Sequence, residues 1–435
     1  MEIFLYIFLV SVLVLLLYDY RTGIITSLMI VTNFGEFVYV NPNLDIGDFG
    51  GMGKVFFMDL FWIAVIIVIF LKRDKLYLLN YRLSLLILSF LCLVALIIPF
   101  LISSFTIKDL ISVIRPLGNF LFLPYFVLTI TDIKAFNFFE KTIIIIATIF
   151  IGIQCYEFVF QKRIPIRLLE KYNVFYSEDP FSVEFGGVKT GYIWSRIGCL
   201  LPFNLLFGCY YFFSERKSYG LFLIGIYLLA IMISLSRIWI IGFGFFLIAL
   251  TVFLLFSKEK KNYVLIKLFS LVASFAVLGI IMIFASSTFS QIFEIFLLRI
   301  HSINDLADKT DSSFLGREYT LMQMATVWME YPVFGAGFST ITRKLTTNDL
   351  GFPNLITIFG GAGIIMIIVF LKEFYNNVKP LIKNYYILFV SLISVMMMIT
   401  FMSVFSIDLF YFNSTGAMLF AVGNIILNIG KENPE

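Results

Sequence analysis

Charge is what this chain has least of. Only 14% of its 435 residues are Asp, Glu, Lys or Arg, while 60% are hydrophobic and 53 are Phe; soluble domains run at about 25% charged and 45–50% apolar. No soluble core needs that much apolar surface, which excludes a water-soluble globular fold. Histidine occurs once, at His301, and reads as a polar loop residue rather than a base. Cys92, Cys155, Cys199 and Cys209 all lie in apolar segments, so neither a disulfide framework nor a metal-ligand spacing is present and no redox role follows. A G-x-x-x-x-G-K-[ST] phosphate loop, an appended soluble domain and an obvious internal repeat are also missing, which argues against a primary pump unless a partner hydrolyses nucleotide. The first apolar segment lacks a basic leader and a small-residue cleavage site, and runs straight into Asp19-Tyr20-Arg21, so it reads as a span rather than a signal peptide.

Long apolar segments are what the chain does have. A membrane-crossing helix needs about 20 predominantly apolar residues. Such segments lie at Ile3 to Tyr18, Val55 to Leu71, Leu83 to Ile102, Gly118 to Ile130, Thr142 to Phe160, Trp194 to Phe213, Tyr219 to Leu235, Ile238 to Phe256, Val264 to Phe284, Phe352 to Leu371, Tyr386 to Phe405 and Leu409 to Leu427. The stretch Ile24 to Val40 carries Asn33, Gly35 and Glu36 in its middle and reads as a re-entrant or surface piece. The expected fold is therefore an all-α polytopic membrane protein, one integral domain over residues 1–435. It has about 12 transmembrane helices, both termini on one side, and a large extracytoplasmic loop, 285–351, before the last three.

Lysine and arginine in short loops set the orientation. Lys72, Arg73, Lys75 and Arg82, then Arg216 and Lys217, then Lys258, Lys260, Lys261 and Lys267, then Lys372, Lys379 and Lys383 fall on one side if the spans alternate. That side is expected to be cytoplasmic. The segments Gln161 to Ile193, Ala285 to Gly351 and Ser104 to Arg115 then face outward. Sorted by type, arginines 73, 82 and 216 fall inside, while 21, 115, 163, 167, 196, 237, 299, 317 and 343 fall at or beyond the outer face. Lysine serves for charge alone, whereas the planar fork of arginine suits bidentate capture of phosphate or carboxylate. The outer arginines either satisfy loop carbonyls and carboxylates or, collectively, hold an anion at the outer leaflet.

Arg237 is the sharpest of them, because it interrupts the apolar run from Tyr219 to Phe256. An arginine in a span costs roughly 2.5 to 3.5 kcal/mol on insertion scales, so function is the default expectation. A second constellation lies ahead of the tenth span: Gly316-Arg317-Glu318-Tyr319, Trp328, Pro332 and Phe334-Gly335-Ala336-Gly337-Phe338. Arg317, Leu321, Met324 and Trp328 share helical spacing, which predicts a helix starting near Ser312 or Ser313, with the arginine in its first turn, ended by Pro332. The glycines beyond it permit a tight turn that can approach a ligand closely. An amphipathic surface helix capped by a turn would give the same pattern. Asp305, Asp308 and Asp311 make no tight metal motif and read as a solvated charge run.

Taken in order, Ser236-Arg237, Gly316-Arg317 with Trp328 and Pro332-Val333-Phe334-Gly335-Ala336-Gly337, and Asp349-Leu350-Gly351 through Gly360-Gly361-Ala362-Gly363 resemble the signature of the O-antigen ligase and polymerase superfamily. Arg196, in Trp194-Ser195-Arg196-Ile197-Gly198 with Pro202 and Asn204 behind it, resembles a further arginine motif of that family. The resemblance runs from Gly187 to Ile365 in motifs and over the whole chain in topology. It implies a glycosyltransferase of the GT-C type on the outer face of the bacterial cytoplasmic membrane, needing neither metal nor cofactor. Its donor and acceptor would be glycans linked to undecaprenyl pyrophosphate, with the bilayer, a flippase and a chain-length regulator as partners, and no nucleic acid. Arginines would hold the pyrophosphate while an acceptor hydroxyl attacks the anomeric carbon; charge neutralisation in a poorly hydrated site is chemically suited to that leaving group.

On this reading Arg237 and Arg317 carry catalysis, Arg196 and Arg115 bind the substrate anion, and Tyr319 and Trp328 stack on sugars. Ligases of the family commonly carry a histidine-asparagine pair where this chain has Asn348-Asp349-Leu350-Gly351. The departure favours a repeat-unit polymerase making O-antigen, capsule or exopolysaccharide over a ligase. It leaves Asp349 either as a general base or as a cap of the following helix. A ligase with another acceptor, and a transporter or flippase for the lipid-linked unit, are the alternatives.

Overall fold

The computed structural model describes residues 11, 14–16, 19–32, 45–48, 54–102, 104–160, 183–185, 188–190, 200–214, 216–234, 236–256, 294, 312–346, 350–405, 409–410 and 414–432. The architecture is helical, with two short antiparallel hairpins of Asp45–Asp48 with Lys54–Phe56 and Val183–Phe185 with Val188–Thr190. The helices used below are α1 (Tyr20–Val31), α2 (Phe57–Leu71), α3 (Arg82–Leu101), α4 (Ile107–Ile114), α5 (Phe122–Thr129), α6 (Ile133–Phe160), α7 (Leu201–Phe213), α8 (Lys217–Ser234), α9 (Arg237–Leu255), α10 (Ser312–Glu330), α11 (Thr340–Leu345), α12 (Gly351–Val378), α13 (Tyr386–Phe405) and α14 (Thr415–Glu432).

Six helical stretches among the described residues are long and apolar enough to cross a membrane: Arg82–Leu101, Ile107–Thr129, Ile133–Ile153, Ile238–Leu255, Gly351–Val378 and Tyr386–Val404. Shorter apolar helices occupy Tyr20–Val31, Met58–Leu71, Leu201–Phe213, Lys217–Ile233 and Thr415–Gly430. The expected span Val264 to Phe284 lies outside the described residues, as does most of Ile3 to Tyr18. Helix α3 shows how a span sorts its faces. Leu83, Leu86, Phe90, Leu93, Ile97 and Phe100 recur every three or four residues and are exposed, whereas Ser84, Leu88, Leu91, Ala95 and Pro99 are buried.

The chain divides into two compact units. Unit 1 comprises 1–142, 315–382 and 402–435. Its core is aromatic: Phe370 stacks on Phe420 with ring centroids 5.3 Å apart, and Phe120, Tyr81, Phe374 and Phe410 pack around this pair. One end of unit 1 gathers the lysine loops. There Ser84 donates to the Glu373 carboxylate, Lys72 Nζ reaches Thr129 Oγ1 at 3.5 Å, and Asn424 both accepts from Asn80 N and donates to the Leu78 carbonyl at 2.9 Å. Burial lowers the Lys72 ammonium from its ordinary pKa, and the neighbouring Lys75 acts in the same direction.

One expectation is narrowed and another changes here. The segment read as a re-entrant or surface piece begins, in its described residues 24–32, within the short helix α1, whose fully buried Ile24, Ser27 and Leu28 exclude a surface piece there and keep the re-entrant one. Asp19 caps it, accepting from the N–H groups of Arg21 and Thr22. The Arg21 guanidinium also lies 5.7 Å from the Phe138 ring, near the start of α6 and the Thr129 end of α5. Arg21 therefore sits at the lysine end, not at the opposite one, and leaves the outer group of arginines.

Unit 2 comprises 143–314 and 383–401. Among the described residues, helices α7 and α8 pack closely: a Cβ on Gly208 would overlap Ile224, and one on Gly220 would overlap the backbone of Phe212. Small residues let antiparallel helices approach this closely in lipid. Stacked Phe245 and Phe401, and a bond from the Tyr386 hydroxyl to the Phe253 carbonyl, tie α13 to α9.

Candidate functional site

In unit 1 the segment carrying the Gly-x-Gly motif docks onto two helix defects. Pro99, inside α3, has no N–H, so the Ala95 carbonyl loses its helical donor. The N–H of Phe338 fills that place at 2.9 Å. Helix α12 breaks at Gly360 (φ 61°, ψ −149°), which removes the usual donors from the carbonyls of Thr357 and Ile358. Ala336 N and Gly337 N take those carbonyls at 3.0 and 3.1 Å. In return Gly361 N and Ala362 N donate to the carbonyls of Pro332 and Val333 at 2.8 and 3.0 Å. Four exchanged bonds thus restore what the break removes, as backbone at membrane depth demands.

The glycines are required by that exchange. Gly335, Gly337 and Gly360 have φ of 65°, 60° and 61°, and a Cβ on each would lie 2.5–2.6 Å from a backbone atom of Ile358, Ala95 or Gly335 respectively. The close approach these glycines permit is used, in this turn, against the backbone of α3 and α12.

The turn fixes α10. This helix starts at Ser312 and stops at Glu330, two residues before Pro332, as the spacing predicts, although Arg317 falls in its second turn rather than its first. Met324 and Val327 are buried, and the Trp328 indole donates to Thr357 Oγ1 at 3.0 Å, a bond that gives Trp328 a structural duty beside any stacking on sugar. Arg317 lies on the same face as Met324 and Trp328 but beyond the packed part, and is exposed. Among the described residues it makes no hydrogen bond or ion pair. Tyr319 is also exposed, on the other side of α10.

Two other described arginines of the outer group are occupied. Arg115 forms a bidentate pair with Asp59, Nε to Oδ1 at 2.7 Å and Nη2 to Oδ2 at 2.9 Å. Arg343 pairs with buried Asp109, which also accepts from Thr340 Oγ1 at 2.6 Å and the N–H of which bonds Thr106 Oγ1 at 3.1 Å. These bonds clamp α11 onto α4. Arg196 and Asp349 lie outside the described residues, as do Arg163, Arg167, Arg299, His301 and the acidic run 305–311. Among the described residues, no group of three His, Cys, Asp or Glu could hold a metal ion.

In unit 2 the apolar run is broken where the sequence places Arg237. Helix α8 ends at Ser234 and α9 begins at Arg237, with Ser236 extended between them. Arg237 thus occupies the first position of a helix, where the macrodipole adds positive potential rather than relieving the charge. Two residues on, Trp239 is buried against Tyr227 (centroids 6.3 Å apart), and its indole N–H has no partner among the described residues. Asn204, the last residue of the P-x-N motif, is fully buried in α7, and neither of its amide atoms has a partner among the described residues. The register that sets Gly208 against Ile224 carries Asn204 one turn on, to the level of Tyr227 and Leu228. Orphaned polar atoms in such a place need an explanation. Sequence reading passed over Trp239; its position two residues after Arg237 was the available signal.

Residues 221–356 match the family model described as O-antigen ligase, consistent with the superfamily the motifs resemble. The match takes in Arg237, Arg317, Tyr319, Trp328 and Asp349 and leaves Arg115 and Arg196 outside it. A comparison with curated proteins finds no match. Membrane-type helices and this family match together support a multi-pass membrane enzyme that processes glycans.

Proposed function

We propose that this protein is a repeat-unit polymerase, joining oligosaccharides carried on undecaprenyl pyrophosphate on the outer side of a bacterial cytoplasmic membrane. In the step proposed, an acceptor hydroxyl attacks the anomeric carbon of the donor, the bond from that carbon to the pyrophosphate oxygen breaks, and prenyl pyrophosphate leaves. Arg317 and Arg237 neutralise the charge that builds on the leaving group, with Arg196 as a further anion ligand and Tyr319 and Trp328 against the sugars. Neither a metal nor a cofactor enters this scheme. The observation that carries the reading is Arg317: of the arginines the structure describes in the matched segment and around it, Arg115 and Arg343 are held by carboxylates, while Arg317 is exposed and unpaired among the described residues.

The test is polymer formation in vitro from purified lipid-linked repeat units. Arg317→Ala and Arg237→Ala should each lower turnover by about 10²–10³-fold, the typical effect of removing one preorganised charge-stabilising donor. Lysine should recover little, since it lacks the fork. Full-length polymer from folded Arg317→Ala enzyme overturns the assignment. A product ladder rising by one repeat supports polymerisation, a single transfer to a foreign acceptor supports a ligase, and movement of the lipid with no covalent product supports a flippase. Asp349 would take the proton of the attacking hydroxyl. Asparagine caps a helix about as well as aspartate, so a loss of order a hundredfold in Asp349→Asn supports the base and near-normal turnover leaves only the cap.

A further inference from the structure

We propose that α10 and the turn after it are seated in the lipid of the leaflet at the arginine end, rather than standing free in a water-exposed loop. This goes beyond the enzymatic reading, is independent of its arginines, and moves Tyr319 from the sugars to the lipid interface. Leu315, Tyr319, Met322 and Met329 recur at helical spacing along α10 and are exposed, Met329 by 79%, and Val333 and Phe334 extend the row. The opposite face, with Met324 and Val327, is the one packed into unit 1. An exposed apolar stripe of this extent marks an interaction surface.

Lipid is the occupant because the stripe starts at membrane depth and joins a lipid-facing belt. The bond between Ser84 and Glu373 fixes a common level near the lysine end of α3 and α12. From there Ala95 is eleven residues up α3 and Thr357 sixteen up α12, about 17 and 24 Å at the helical rise. These are the residues that receive Phe338, Ala336 and Trp328. The end of α10 therefore lies inside a hydrocarbon layer about 30 Å thick. Val333 is bonded to Ala362, directly before the exposed Ile364, Ile365 and Ile368 of α12. With the stripe in acyl chains, Tyr319 falls where aromatic residues mark the interface, and Arg317 is turned to the opposite side of the helix, away from lipid.

The experiment uses the full chain in nanodiscs without substrate. Native cysteines are replaced, and single nitroxides are placed at Tyr319, Met322 and Met329, with Ile365 as the lipid reference and Lys344 as the water reference. Relaxation by oxygen over a water-soluble nickel chelate, at a ratio within about twofold of Ile365, supports the seating at Met322 and Met329, with Tyr319 intermediate. A ratio like that of Lys344 overturns it, and so does protection from both relaxants, which would mean that a protein or a second copy covers the stripe. Should the labelled variants not fold, a phospholipid with a photoreactive acyl chain can be applied to the native protein. Adducts within 315–334 as well as 364–368 support the proposal; adducts in 364–368 alone overturn it.

Discussion

Arg343 and Arg317 lie on neighbouring segments and carry the same guanidinium, yet their surroundings give them opposite work. Arg343 neutralises Asp109, which is 3% exposed and could not stay charged at that depth without a partner. Removing it leaves a buried carboxylate held by threonines alone. Because the Arg343 side chain is 39% exposed, the cost of Arg343→Ala should lie between about 1 kcal/mol for an exposed pair and about 3–5 kcal/mol for a buried one. The expected outcome is a lower melting temperature and less protein in the membrane, with turnover per folded molecule retained. Thermal unfolding beside an activity assay on the same sample checks it; lost turnover at unchanged stability would give Arg343 a place in catalysis. Arg115 should behave likewise through Asp59. Sequence could not sort these arginines, because their partners stand 234 and 56 residues away.

At the scale of the element, α10 and the turn were legible where signals are local and illegible where they are not. Ser312 as a start and Pro332 as a stop follow from capping and from the missing N–H, and the structure keeps both. The partner of the turn depends on Pro99 and Gly360, which in sequence are only a proline and a glycine inside apolar runs. Nothing local says that the groups they free are matched by residues 332–338. This exchange makes a sharp contrast between glycines. Gly360→Ala puts a side chain at a backbone conformation tolerated almost only by glycine, at about 1–3 kcal/mol, and adds a Cβ 2.5 Å from Gly335 N. Gly316, in α10, has nothing within 4 Å of its Cβ position, so Gly316→Ala should stabilise by about 0.5–1 kcal/mol. Melting temperatures moving in opposite directions confirm the exchange as a structural joint. An unchanged melting temperature in Gly360→Ala would mean that the break in α12 does not depend on it.

Across the whole molecule, the apolar segments were readable because burial in lipid demands long uninterrupted runs, and ten of the twelve expected spans coincide with apolar helices in the described residues. Direction is harder, because it depends on which end each helix starts from. The contact of Arg21 with Phe138 starts α1 at the lysine end, where alternation of the expected spans had put Arg21 at the opposite one. Cysteines introduced singly at Arg21 and Lys379 should therefore share one fate with a membrane-impermeant thiol reagent in intact cells, and those at Ser302 and Thr347 the other. With lysine loops inside, the first two should be protected and the last two labelled. Labelling at Lys379 with protection at Thr347 would turn the molecule over and place the proposed site in the wrong compartment for a lipid-linked donor on the outer face. Labelling at Arg21 with protection at Lys379 would leave the orientation intact but separate α1 from the base of α6, which the buried faces of Ile24, Ser27 and Leu28 oppose: moved to the other end, α1 would lose the Phe138 contact and its capped N-terminus would have to be housed anew.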